Sequence, residues 1–400
     1  MSVKLKQQVR LLSSTYFEET IKHRHQIHRF PELSFQEFST ANYVEKTLLG
    51  IGFTAVTRLA KTGVIALLHD RNTVGKTIGL RADLDALPIQ ETNDIAYKSS
   101  INGVMHACGH DVHTAILLTV AKILFELKDQ IAGNVKFIFQ PGEELLPGGA
   151  SVLINEGVLH NPEVDCLIAQ HVTPQIASGK IGFKKGLFMA STDEIYLTIK
   201  GKGGHAAMPH TYINPLLIAS AIITKLHQFF MIDKSENEGN IPTVLAFGKI
   251  EGLGATNVIP DIVKIAGTFR SLDEAWRNKS HQIIKQLAQI TAAEMGGECE
   301  VDIHHGYPCL VNDEAVTQVC ITAAEETIGK ENIIDLDYRM TAEDFAYFSQ
   351  IKPVCFYRLG TGNAIKDTEH NVHTSNLNID EDVLKFAPAI MASMAIDLLQ

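Results

Sequence analysis

Residues His106 to His113 place three histidines, one thiol and one carboxylate within eight residues, in the order His106-Ala107-Cys108-Gly109-His110-Asp111-Val112-His113. Gly109 allows the backbone to turn sharply between Cys108 and His110, so both side chains could face one cation. A thiolate with an imidazole suits zinc or a similar borderline metal. Any one of these histidines alone would read as a capped or packed helix start; the cluster argues for a site.

Other segments offer complementary chemistry. Gln140-Pro141-Gly142-Glu143-Glu144 follows an apolar run, and adjacent glutamates on an extended backbone point different ways. One can then bind a metal while its neighbour moves protons. His171 sits at the end of another apolar run, where open α/β sheets place their ligands. Gly201-Lys202-Gly203-Gly204-His205 flanks a histidine with glycines that permit close approach. Asp367 to His373 carries His370 and His373, and Thr341-Ala342-Glu343-Asp344-Phe345 reads as a helix cap and first turn. Taken singly, the paired glutamates suit a solvated turn and the glycine-rich segment a flexible one.

The elements that must position these groups follow from periodicity. Helices are expected over 4–30, 36–51 and 112–128. Short apolar strands are expected over Val64–His69, Thr77–Ala82, Asn134–Gln140 and Val164–His171, an alternation that predicts an α/β layer fold. Near Lys185 the pattern changes. Strands over Thr192–Lys200, Thr243–Glu251, Ile262–Arg270 and Glu298–His305 interleave with helices over Asn214–Phe230 and Asp273–Glu294, the second capped by Ser271 or Asp273. That order is ferredoxin-like. It predicts a two-layer α+β domain over 186–300 inserted into an α/β domain formed by 1–185 and 301–400, with Pro353–Leu359 as a further buried strand.

Length and composition agree. Four hundred residues suit about two or three domains. A net charge of −11 disfavours nucleic acid and anionic lipid as partners. The longest apolar stretch, Ala115–Phe125, is broken by Lys122 and falls short of the roughly 18 residues that would span a membrane. No apolar signal core occurs at Met1-Ser2-Val3-Lys4-Leu5-Lys6, and six scattered cysteines form no disulfide framework, so a reducing cytoplasm is the expected compartment.

In order along the chain, these segments resemble the dinuclear metallopeptidase clan of aminoacylases, glutamate carboxypeptidases and succinyl-diaminopimelate desuccinylases. Within it they are similar to N-acyl-amino-acid amidohydrolases: hippurate hydrolase and the plant hydrolases of indoleacetic acid–amino acid conjugates. The resemblance rests on His28-Arg29-Phe30-Pro31-Glu32-Leu33-Ser34-Phe35, Arg81-Ala82-Asp83-Leu84-Asp85-Ala86-Leu87-Pro88, the His106–His113 cluster, Gln140–Glu144, His171, Gly201–His205, Asn257-Val258-Ile259-Pro260-Asp261, Glu343-Asp344-Phe345 and His373.

The resemblance implies a mixed-sheet α/β/α catalytic domain with an inserted lid and dimerisation domain. It implies two divalent metal ions per subunit (zinc, manganese, nickel or cobalt) held by Cys108, His110, Glu144, His171 and His373. His373 is preferred to His370 because it precedes Ile379-Asp380-Glu381 by the family's spacing. Five donors exceed the roughly three protein ligands of a single catalytic zinc. Glu143 is implied as general base, His205 as a lid histidine serving the partner subunit's site, and Asn257 and Arg270 as holders of the substrate carboxylate. Asp83 and Asp85 are expected to be structural or to support the ligands.

The implied reaction is amide hydrolysis of a small N-acyl-L-amino acid by a homodimer or a tetramer. Alternatives are a dipeptidase or carboxypeptidase of the same clan, and a thiol hydrolase using Cys108 as nucleophile. Gly142 stands where the family often has alanine, Leu145-Leu146-Pro147 interrupts a usually glycine-rich stretch, and Ser375 stands where proline is usual. These departures bear on acyl preference and leave the ligands intact.

Overall fold

The computed structural model describes residues 3–69, 75–233, 237 and 240–400, so Met1 and Ser2 lie outside the described residues. The chain forms two compact units. One comprises Met1–Gly186, Val311–Asp337 and Asp344–Gln400; the other comprises Leu187–Leu310 and Tyr338–Glu343.

The larger unit is built on a mixed sheet with eight strands among the described residues. Their order is Val56–Leu59, Gly63–Leu68, Asn134–Gln140, Thr77–Asp83, Cys166–Ala177, Val354–Gly362, Ile181–Phe183 and Ile333–Asp335. Asn134–Gln140, Thr77–Asp83, Cys166–Ala177 and Val354–Gly362 run parallel, so their carboxyl ends open on one edge of the sheet. Every residue of Thr77–Asp83 and Asn134–Gln140 is buried, which suits strands covered on both faces, and their basic members Arg81 and Lys136 are hydrogen-bonded inside. Helices Val3–Thr15, Phe38–Ile51, His110–Glu126 and Ala387–Leu398 share one hydrophobic cluster with the sheet.

Two local expectations change. The helix expected over 4–30 is two helices, Val3–Thr15 and Phe17–Arg29, separated at Tyr16. Apolar periodicity runs across that break, so pattern alone does not reveal it. The strand carrying His171 extends over Cys166–Ala177, which places His171 inside it. His171 nevertheless lies beyond Ala169, the last residue paired with Thr77–Asp83. The strand there keeps only its other neighbour, Val354–Gly362.

The smaller unit has the expected βαββαβ order. Its antiparallel sheet runs Thr243–Glu251, Ile262–Ser271, Asp193–Lys200 and Glu298–His305. Asp193–Lys200 alternates buried and less buried residues, as a sheet covered on one face requires. Helices Pro215–His227 and Glu274–Glu294 close its core. Asn214 caps the first by accepting from the Leu216 amide, with Pro215 in the first turn. Asp273, not Ser271, caps the second, accepting from the Trp276 amide at 2.6 Å. Strand Glu298–His305 runs past residue 300 because it pairs along its whole length with Asp193–Lys200.

Pro215–Asp233 is long and apolar enough to cross a membrane by length and composition, and is a longer apolar run than Ala115–Phe125. Ile218, Ala219, Ile222, Leu226 and Phe230 from that run are buried in the core of the smaller unit.

Trp276, the single tryptophan, lies in that same core and reports on it selectively. Leu197 is 1% exposed. Leu197→Ala should cost about 2–5 kcal/mol and lower the denaturant midpoint followed by tryptophan fluorescence; an unchanged midpoint would show that this core does not limit the unit's stability.

Candidate metal centre

The site is assembled where chain segments leave the sheet. Gly109 has φ +85°, and a Cβ there would lie 2.4 Å from Val172 Cγ2. Only glycine permits this turn, which starts helix His110–Glu126 and leaves Cys108 and His110 close together. Gly142 has φ +59°, and a Cβ there would fall 2.5 Å from the Phe35 ring. The departure from alanine at this position thus follows from backbone shape and from Phe35 packed against it. Both turns bring their flanking residues to the carboxyl edge of the sheet, Cys108 and His110 from one and Glu143 and Glu144 from the other.

All five expected metal donors converge within the larger unit. Cys108 Sγ lies 3.3 Å from His171 Nε2. Cys108, His110 and His171 place donor atoms within 4.8 Å of one another, as do Cys108, Glu144 and His373. His373 Nε2 is 3.0 Å from Glu144 Oε1. Glu143 belongs to a third such group with His110 and Glu144. His370, by contrast, faces Asp367 at 3.3 Å, so of that pair it is His373 that joins the cluster.

The donor atoms fit a cation by the test of what their other atoms do. His110 Nδ1 lies 2.9 Å from the Asp85 carbonyl oxygen and 3.2 Å from Asp85 Oδ1, while its buried Nε2 has no hydrogen-bond partner. His171 Nδ1 donates to the Val172 carbonyl at 2.7 Å, turning Nε2 toward Cys108. Ligand histidines usually have the second nitrogen fixed in this way. Asp85 also accepts from Ser34 Oγ at 2.7 Å and from the Glu144 amide at 3.0 Å. It therefore supports two donors at once.

The three histidines of the cluster, indistinguishable in sequence, separate by role. His113 Nδ1 bonds Asp83 at 2.6 Å and its Nε2 accepts from the Val172 amide at 2.9 Å, so both nitrogens are occupied. His106 is buried with neither nitrogen hydrogen-bonded, and burial pulls its pKa down to about 4, which keeps it neutral. Of the three, His110 is the one whose non-hydrogen-bonded nitrogen lies among Cys108, His171, Glu143 and Glu144.

Electrostatics favour a cation over a thiol nucleophile. Burial, then the Glu144 and Glu143 carboxylates, push the Cys108 thiol well above its ordinary value. A nucleophilic cysteine requires the opposite shift, whereas a bound divalent ion would itself favour the thiolate. Burial works against a charged His110, but Asp83 and Asp85 outweigh it and raise the pKa to about 10. Burial and the Arg358 guanidinium hold His171 neutral, the form that binds metals. Arg81 braces the floor through Gln140 at 3.0 Å, Asp83 at 2.6 Å and Asp344 at 2.8 Å.

Several contributors carry no strong sequence signal. His28 sits between Asp111, 2.8 Å away, and Glu91, 3.1 Å away. Arg24 also bonds Asp111, at 3.2 Å. Glu91 and Arg24 belong to no segment singled out for its pattern, and both are far in sequence from Asp111.

The remaining expected site residues lie in the smaller unit. Gly204–His205 pairs with Val258–Ile259, and the Ala206 amide donates to the Asn257 carbonyl at 3.0 Å, which brings His205 and Asn257 into one ribbon. His205 Nδ1 accepts from the Ala207 amide at 3.1 Å. Arg270 lies apart on Ile262–Ser271, its Nη1 donating to the Met340 carbonyl at 3.1 Å, and its burial lowers its pKa.

Known proteins agree with this architecture. Residues 79–397 match Peptidase family M20/M25/M40. Thermostable carboxypeptidase 2 of Saccharolobus solfataricus is 36% identical over 379 residues, 94% of each chain. N-acetyl-L-cysteine deacetylase of Bacillus subtilis is 38% identical over 93% of this chain and 86% of its own. The crystal structure of the Bacillus subtilis YXEP protein, described as a dinuclear metal binding peptidase, has a TM-score of 0.83 at 30% identity, covering 96% of this chain and 98% of that one. The fold and relatives define a hydrolase of amide bonds. The chain belongs to Peptidase family M20/M25/M40.

Asp85→Ala removes the carboxylate behind His110 and Glu144. Metal affinity of the folded variant should fall about 10–100-fold, read by competition with a chromophoric chelator; unchanged affinity would make Asp85 merely structural.

Proposed function

We propose that the chain hydrolyses the amide bond of N-acyl-L-amino acids, releasing a carboxylic acid and a free amino acid. The observation that carries this reading is the convergence of Cys108, His110, His171, Glu144 and His373 on one cluster with Glu143 beside it. Those five residues are assigned to two divalent ions, with zinc, manganese, nickel and cobalt all compatible with a mixed sulfur, nitrogen and oxygen donor set. When bound, such ions supply Lewis-acid polarisation of a carbonyl and a more acidic water.

Glu143 is assigned the proton traffic. It accepts a proton from the attacking water and delivers it to the departing nitrogen, which leaves poorly as an unprotonated amine. His205 is assigned to donate to the oxyanion at the partner subunit's site in a homodimer, or in a tetramer built from dimers. Asn257 and Arg270 are assigned to the free carboxylate of the amino-acid half, the group that a guanidinium fork recognises best. The inserted domain over 186–300 is assigned the lid and dimerisation roles. Six free cysteines suit the reducing cytoplasm in which we place the enzyme.

The name of the Bacillus subtilis relative, a deacetylase, supports this reading. That of the Saccharolobus relative, a carboxypeptidase, supports a second: cleavage of a peptide bond beside a free carboxylate, which the same groups would serve.

Amine release from N-acetyl-, N-benzoyl- and dipeptide substrates should disappear on chelation and return with zinc or manganese. Acylated amino acids as the best substrates would favour the first reading and dipeptides the second. Release that survives chelation would overturn both. Glu143→Gln should retain its metal yet lose about 10²–10⁴-fold in kcat, and normal turnover by the metal-loaded variant would remove Glu143 as the base. His205→Ala should lose about 10²–10³-fold in kcat; undiminished turnover would end the oxyanion assignment.

A further inference from the structure

His373 differs from the other four donors. Its side chain is 51% exposed and its φ is +63°. A non-glycine residue in that conformation must be held there by its surroundings. The His373 amide donates to the Ala107 carbonyl at 2.6 Å. Beyond it, the Ser375 carbonyl accepts from the Thr92 amide at 2.8 Å, and the Leu377 carbonyl accepts from Asn93 Nδ2 at 2.9 Å.

Asn93 Nδ2 also donates to Glu91 Oε1 at 3.0 Å. Glu91 Oε1 lies 3.1 Å from His28 Nε2, and His28 Nδ1 lies 2.8 Å from Asp111 Oδ2. Asp111 follows His110 in the first turn of helix His110–Glu126. An unbroken hydrogen-bonded chain therefore runs Asp111–His28–Glu91–Asn93–Leu377. It joins the neighbour of one donor to the segment carrying another. Asp111, His28 and Glu91 are buried, where such bonds are strong and costly to break.

We propose that Asn93 is a positioning residue that, through Glu91 and His28, locks the His373 segment to the helix bearing His110 and so sets the affinity of the metal position that uses Glu144 and His373. This rests on the two-metal reading above. Leu377 also packs against Met105 and Ala107, so the segment stays folded when the polar tie is cut. Asn93 touches none of the five donors, and its effect should appear as affinity at one position only.

The experiment is a zinc titration of metal-free protein against a chromophoric chelator, comparing wild type, Asn93→Ala, Asn93→Asp and His373→Ala. Wild type should bind two ions. Asn93→Ala should weaken one of them about 10–100-fold and leave the other unchanged, at the melting temperature of the metal-free wild type. Asn93→Asp should weaken the same ion further, because it loses the donor and sets a second carboxylate against Glu91. His373→Ala should remove that ion and so identify it. Wild-type affinities at both positions in Asn93→Ala, or equal loss at both, would overturn the proposal. Failure of wild type to bind two ions would instead overturn the two-metal reading on which it stands.

Discussion

The centre depends on one backbone constraint, the left-handed turn at Gly109. On a helix a thiol and an imidazole two residues apart point in different directions. Here the chain reverses at φ +85° with Val172 pressed against it, and a Cβ would collide at 2.4 Å. The same Val172 receives the His171 Nδ1 hydrogen bond on its carbonyl and gives its amide proton to His113. One residue thus fills the space that excludes a side chain at 109, orients a donor, and takes His113 out of contention.

Around that turn the protein buries many charges, which is unfavourable unless each is paired. Asp83 meets Arg81 and His113; Asp344 meets Arg81, Gln140 and the Ala150 amide; Asp111 meets His28 and Arg24. Burial alone would favour protonation of Asp83, and His110, His113 and Arg81 reverse that. The pairing leaves a few atoms over, among them His110 Nε2, a buried nitrogen with no hydrogen bond. The paired charges form the scaffold, and His110 Nε2 faces the donor cluster from within it.

Much of this was legible in the sequence, for physical reasons. Strand Asp193–Lys200 of the smaller unit alternates because one sheet face is covered, and the parallel strands are largely apolar because both faces are. Cys108 and His110 lie in a short string whose residue types have few other joint uses, whereas Glu144 and His171 stand out only in company, and the family's spacing favours His373 over His370. What was not legible depends on long-range contact. Nothing local distinguishes His106, His110 and His113 until Asp83, Asp85 and Val172 are placed beside them. The break at Tyr16 falls within a continuous apolar period. Glu91 and Asn93 lie in an irregular segment whose partners come from His28 and Leu377, distant in the chain. The glycine at 142 read as a departure until Phe35 showed what occupies the missing methyl's place.

The division of labour between the two units follows from where the groups lie. All five donors, Glu143, and the residues that brace them belong to the larger unit. Its metal position can therefore form from that unit's own contacts. The residues assigned to the oxyanion and the substrate carboxylate, His205, Asn257 and Arg270, all belong to the smaller unit. On these assignments metal affinity belongs to the larger unit and substrate choice to the smaller.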